Sequence, residues 1–200
     1  PTIRCIASLE GGADAWLARR TANFRRSLRR AERDAAATGI SIAPVMAGDE
    51  AAAAIAYDRV IAVEQRSWKG REGSGLLGEE MQAFYRAMVP RLARRGALRL
   101  SFAQKDGRDV GFILGGLFDD GYRGLQFSFD DEYRDIGLGN HAQWTTIQSL
   151  TAEGVTTYDL GTDREYKHRW SDFQMTTHTI AFLHPRLTRR VRTAASTDDE

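Results

Sequence analysis

Apolar residues first recur at helical spacing from Phe24, where Phe24, Leu28, Ala31 and Ala35 fall on one face. Arg25, Arg26, Arg29, Arg30 and Arg33 fill the other faces, and Gly39 follows. The pattern predicts a helix over 21–38, then a short strand at 40–43 before Pro44. Asp49 caps a second predicted helix with a stripe of Ala52, Ala56, Val60 and Val63. That helix runs into Arg66-Ser67-Trp68-Lys69-Gly70, after which Gly70, Gly73, Gly75 and Gly78 predict a mobile loop. A third helix is expected to bury Met81, Phe84, Met88 and Leu92 and to end near Gly96, with Pro90 removing one backbone bond inside it.

From Ala97 the period drops to two. Strands are predicted at 98–105, 110–118 and 122–129, joined by turns at Lys105-Asp106-Gly107-Arg108 and Asp119-Asp120-Gly121. Gly137, Gly139 and Asn140 open a helix that carries Trp144, Ile147 and Leu150 and stops at Gly154. Further strands are predicted at 156–160 and 175–183. Helices, an antiparallel meander, a helix and more strands imply an α+β fold with a mixed, mostly antiparallel central sheet flanked by helices. Residues 1–20 read as an N-terminal lead-in, 21–184 as one domain and 185–200 as a charged tail.

Composition narrows the class. The 200 residues are 42% hydrophobic and 28% charged, which suits a folded domain that needs no covalent staple. The single cysteine, Cys5, is read as excluding an intramolecular disulfide framework and any Cys-based zinc site. No apolar run reaches the ~20 residues of a membrane span, and a cytoplasmic location is the expectation. Net charge is +1, so bulk electrostatics does not favour nucleic acid, although residues 1–40 carry eight arginines against four acids. His141, His168, His178 and His184 show no metal-ligand spacing in the sequence, and no metal is expected.

The informative segment is 129–150. A predicted strand ends among acids and is followed by Arg134-Asp135-Ile136-Gly137-Leu138-Gly139, then a helix. Glycines allow close backbone approach, and the free N–H groups of a first helical turn, reinforced by the helix dipole, suit a pyrophosphate. Arg-x-x-Gly-x-Gly at this place resembles the acyl-CoA loop of the GNAT N-acetyltransferase superfamily. Phe24-Arg25-Arg26-Ser27-Leu28-Arg29-Arg30, Ser67-Trp68-Lys69-Gly70, Asp159-Leu160-Gly161 and Tyr166-Lys167-His168-Arg169-Trp170 resemble one GNAT subgroup, the CelD-like or BioF2-like acetyltransferase domain, related to Fem aminoacyl transferases. The resemblance covers about residues 20–183. Many relatives are longer, and this chain would then be the C-terminal half of a tandem protein.

The resemblance implies a GNAT-like sheet and transfer of an acyl group, acetyl by default, from acyl-CoA to a primary amine on a small-molecule, peptidic or amino-sugar acceptor. It implies cofactor contacts from Arg134, Gly137, Leu138, Gly139 and Asn140, and a carbonyl-polarising backbone N–H at a bulged strand near Phe127, Ser128 and Phe129. Tyr166 is the expected acid for the departing thiolate; a packing aromatic beside Trp170 is the competing reading. Asp159 and Glu64 are the candidate bases, against a turn-former and an exposed helical acid. Trp68 and Lys69 are expected to border the acceptor. Lys167 and Arg169 are expected to bind a phosphate or an acidic acceptor, or else to pair with Asp163 and Glu165. Two other readings stay open: a Fem-like transferase using charged tRNA, and an inactive GNAT fold serving as a binding module.

Overall fold

The computed structural model describes residues 1–45, 48–73 and 75–180. The chain runs β1 (Thr2–Ser8), α1 (Gly12–Ala18), α2 (Ala22–Ala37), β2 (Ser41–Pro44), α3 (Glu50–Glu64), α4 (Trp68–Arg71) and α5 (Glu79–Arg94). It continues with β3 (Leu98–Lys105), β4 (Arg108–Phe118), β5 (Gly121–Phe129), α6 (Leu138–Ala152), β6 (Thr157–Thr162), α7 (Glu165–His168) and β7 (Phe173–Thr177). Seven strands form one sheet in the order β2-β3-β4-β5-β6-β1-β7. Every neighbouring pair is antiparallel except β5 and β6. The expected mixed, mostly antiparallel sheet is the observed one.

Local chemistry accounts for the elements. Thr21 caps α2 by accepting from Phe24 N–H, and Asp49 caps α3 through Ala52 N–H at 2.7 Å. The β3–β4 turn places Asp106 and Gly107 at positive φ, the geometry that a two-residue hairpin needs. α1, α2 and α6 cover one side of the sheet through Trp16, Phe24, Leu28, Trp144 and Ile147, packed with Tyr122 and Tyr158. α3 and α5 cover the other through Tyr57, Val60, Tyr85 and Val89, packed on Phe102, Phe112 and Leu114.

Several expectations are corrected. Residues 1–20 are not a lead-in: β1 lies inside the sheet, between β6 and β7, and Trp16 of α1 is fully buried. The third helix is rotated by one residue, burying Tyr85, Val89 and Ala93 and leaving Met81 and Phe84 40% and 56% exposed. That helix carries two adjacent apolar stripes, and stacking of Tyr85 on Tyr57 with a bond to Gln126 selects between them. In the glycine segment after Trp68, Leu76 is fully buried. The last strand ends at Thr177, and the tail at 185–200 lies outside the described residues.

Candidate active site

The site begins where two strands part. β5 and β6 pair in parallel only at Gly121↔Thr157, Tyr122↔Tyr158 and Arg123↔Asp159. Beyond these, β5 stays with β4 while β6 continues against β1. The parting coincides with a bulge: Leu114 faces Gln126 and Gly115 faces Gly124, leaving Leu125 unmatched. A bulge bends and overtwists its strand, which swings the rest of β5 away from β6. Asp130 N–H donates to the Val110 carbonyl at 2.7 Å, so the alternating backbone groups of Phe127 and Phe129 point into the gap. The bulge thus sits at Leu125, two residues before the expected position, and the free backbone edge follows it. A cavity of about 530 Å³ fills the gap.

One mouth of this cavity is the start of α6. Gly137 caps it at φ +73°. Asn140 and His141 N–H both donate to the Gly137 carbonyl, whereas Leu138 and Gly139 N–H have no acceptor among the described hydrogen bonds. A Cβ on Gly139 would stand 3.2 Å from the Phe127 ring and 3.3 Å from that of Phe129. Leu138 points the other way, fully buried beside Ala35 and Ile40. Arg134 lines the cavity with its guanidinium on Asp131 at 2.7 Å, and Arg71 holds the other oxygen of the same carboxylate.

The facing wall is α7. Tyr166, Lys167 and Arg169 line the cavity, with Trp170 behind them stacked on Trp16 at 5.6 Å. Partial desolvation pushes the Tyr166 phenol above its ordinary value, so it stays protonated at neutral pH. Desolvation likewise lowers the Lys167 ammonium, which donates to the Thr162 carbonyl at 2.8 Å. Arg169 reaches Asn140 Oδ1 at 3.4 Å, joining this wall to α6. Neither cation pairs with Asp163 or Glu165.

Both expected bases lie elsewhere. Asp159 is engaged by Arg4 at 2.6 Å and by Gly161 N–H at 2.9 Å, and strand alternation sends Tyr158 and Leu160, not Asp159, into the cavity. Glu64 is fully buried, not exposed, and organises the chain after α3. It accepts from Leu76 N–H at 3.1 Å and from Ser67 Oγ at 3.3 Å. A Cβ on Gly75 would lie 2.2 Å from its Oε1, and one on Gly70 2.1 Å from its backbone oxygen. The Ser-Trp-Lys-Gly run therefore has a structural logic. Ser67 caps α4, Gly70 makes the close approach, and Trp68 and Lys69 are delivered to the cavity. Lys69 Nζ donates to the Phe127 carbonyl at 2.6 Å, and burial lowers its pKa against the pull of Glu64.

Sequence reasoning missed four groups in this cavity: Gln126, the Ser128 hydroxyl, Gln143 and Tyr158. The sequence points to Ser128 only through its backbone, yet its Oγ is buried without a hydrogen-bond partner. Alternation along β5 could have placed Gln126 and Ser128 together on the α3–α5 side, but only with the bulge known. The fold also gathers Cys5, Asp163 and His168, which no linear spacing revealed.

The family comparison agrees with this architecture. The acetyltransferase (GNAT) domain family matches residues 22–168, and the chain belongs to it. Among solved structures it is similar to FemX, with 13% identity, a TM-score of 0.61, and coverage of 82% of this chain and 53% of that one. It is similar to L-PGS from Bacillus licheniformis (13% identity, TM-score 0.54, 80% and 46% coverage). An aminoglycoside acetyltransferase from an uncultured soil metagenomic sample, in complex with sisomicin, aligns at 11% identity, a TM-score of 0.50, and coverage of 73% and 97%. The chain spans about half the length of the FemX and L-PGS structures. No curated protein matches the sequence significantly. Among the described residues no helix is long and apolar enough to cross a membrane.

Proposed function

We propose that this chain is an N-acyltransferase that moves an acyl group, acetyl by default, from acyl-CoA to a primary amine. The observation that carries the reading is the β5–β6 gap, with the open N–H groups of Leu138 and Gly139 at one mouth, Tyr166 on the facing wall and Trp68 and Lys69 on the α3–α5 side. The pyrophosphate rests on the first turn of α6, with Arg134 beside it. The thioester lies along the free edge of β5, where the N–H groups of Phe127 and Phe129 polarise its carbonyl. The amine nitrogen attacks the carbonyl carbon, the C–S bond breaks, and the thiolate takes the Tyr166 phenolic proton. No carboxylate lines the cavity among the described residues, so the amine gives its proton to solvent at the acceptor mouth, not to Asp159 or Glu64. Trp68 supplies a flat apolar face for the acceptor, and the Ser128 hydroxyl and Gln126 amide supply hydrogen bonds.

A Fem-like aminoacyl transfer from charged tRNA is the second reading, favoured by the similarity to FemX across 82% of the chain. Calorimetric titration with acetyl-CoA and filter binding with aminoacyl-tRNA separate the two. Saturable acetyl-CoA binding with turnover on an amine panel supports the first. Tight charged-tRNA binding without CoA binding overturns it, and CoA binding without turnover on any amine reduces the chain to a binding module.

A further inference from the structure

Outside the cavity, four segments converge on a set of side chains that the acyl-transfer reading does not use. Cys5 stands in β1, with Gln174 of β7 directly opposite it across the ladder. Asp163 follows the end of β6 and is pinned by its N–H to the Ile3 carbonyl at 2.9 Å. His168 closes α7. Asp163 Oδ1 lies 3.2 Å from Cys5 Sγ and 2.6 Å from His168 Nε2, and the three donor atoms all fall within 4.8 Å of one another. The Gln174 amide nitrogen stands 3.5 Å from the same imidazole nitrogen, and amide rotation would present its oxygen there instead.

We propose that Cys5, Asp163 and His168 form a zinc site that fastens α7 to β1. The donor set is one thiolate, one imidazole and one carboxylate, a combination that selects a borderline-soft, four-coordinate cation over magnesium or calcium. Charge closes as well: a thiolate and a carboxylate neutralise a divalent ion once the thiol proton leaves to solvent. The fourth position falls to the Gln174 carbonyl or a water, since the His168 side chain is 51% exposed and opens the site to solvent. None of the three ligands lines the acyl-transfer cavity, so the ion stands apart from the reacting thioester and acts by tying α7 to β1. Its effect on the reaction is positional, because α7 presents Tyr166 and Lys167 to that cavity two residues and one residue before His168.

The test is titration of the chelator-treated full chain with Co²⁺, followed by displacement with Zn²⁺. The proposal expects one cobalt per chain, a near-ultraviolet thiolate-to-cobalt charge-transfer band, and a higher melting temperature with zinc. His168→Ala, at an exposed position, should weaken zinc binding at least tenfold, and Cys5→Ser should abolish the charge-transfer band. Absence of a saturable band in the parent overturns the site. So does zinc affinity unchanged in His168→Ala, which would place the metal elsewhere and leave a hydrogen-bonded thiol–carboxylate–imidazole cluster. Because Cys5→Ser removes a buried group, its melting curve without metal is recorded alongside, and His168→Ala alone decides if the serine variant does not fold.

Discussion

Tyr166 lies on the cavity wall with its phenol protonated, so Tyr166→Phe should lower kcat about 10²–10⁴-fold while leaving the affinity for acyl-CoA nearly unchanged. Steady-state kinetics across pH check this, and full activity in the variant removes the acid role. Glu64 is buried between Ser67 and Leu76 N–H, outside the cavity. Glu64→Gln keeps an acceptor and should retain kcat within a few-fold, while Glu64→Ala orphans a buried donor and should cost about 1–3 kcal/mol of stability. A collapse of kcat in a folded Glu64→Gln would return Glu64 to the chemistry. Chemical denaturation and kinetics on the same preparations separate these outcomes.

The elements carry their own tests. At α6, Gly139→Val would press a branched side chain against Phe127 and Phe129 beside the open N–H groups. Acyl-CoA binding should become undetectable while the fold survives, because Gly139 has no positive φ to violate. Arg134→Ala should weaken binding by only ~1–2 kcal/mol, since one charged hydrogen bond is lost and Asp131 already holds that guanidinium. Calorimetric CoA titration of both variants, with melting curves, decides. At the α3–β4 contact, burial works to raise the Asp109 carboxyl, but bonds from Arg59 at 2.7 and 2.8 Å and from Gln104 outweigh it and hold the pKa below its ordinary value. A depressed carboxylate stabilises the fold above its unfolded pKa and loses that contribution as pH falls through the folded one. The melting-temperature gap between the parent and Asp109→Asn should therefore be widest near neutrality and narrow below about pH 4.

For the whole molecule, β1 is the test of where the folding unit begins. It pairs with β6 on one side and β7 on the other, buries Cys5, Ile6 and Ala7, and brings Arg4 to Asp159. Removing residues 1–8 would leave β7 without a strand partner and Asp159 without its cation. We expect such a truncation to lose cooperative thermal unfolding by circular dichroism; a truncated chain that melts cooperatively near the parent temperature would restore residues 1–20 to the status of a lead-in.

Much of this molecule was legible in its residues. The α2 face, the Asp49 cap, both hairpin turns and the glycine start of α6 follow from local periodicity, capping and positive-φ turns, which act over a few residues. The loop before α6 and the Tyr166–Trp170 run are contiguous in sequence, so a family resemblance could point to them, and residues of both line the cavity. What local physics does not encode is which distant surfaces meet. Arg4 breaks the apolar pattern of β1 and makes sense only against Asp159, 155 residues away. Tyr85 or Phe84 could each face inward until α3 supplies Tyr57. Glu64 looks like a solvated acid until Leu76 turns its N–H toward it. Gap, bulge and buried carboxylate arise from long-range packing, and the tertiary structure decided them because each depends on a partner that the neighbouring sequence does not contain.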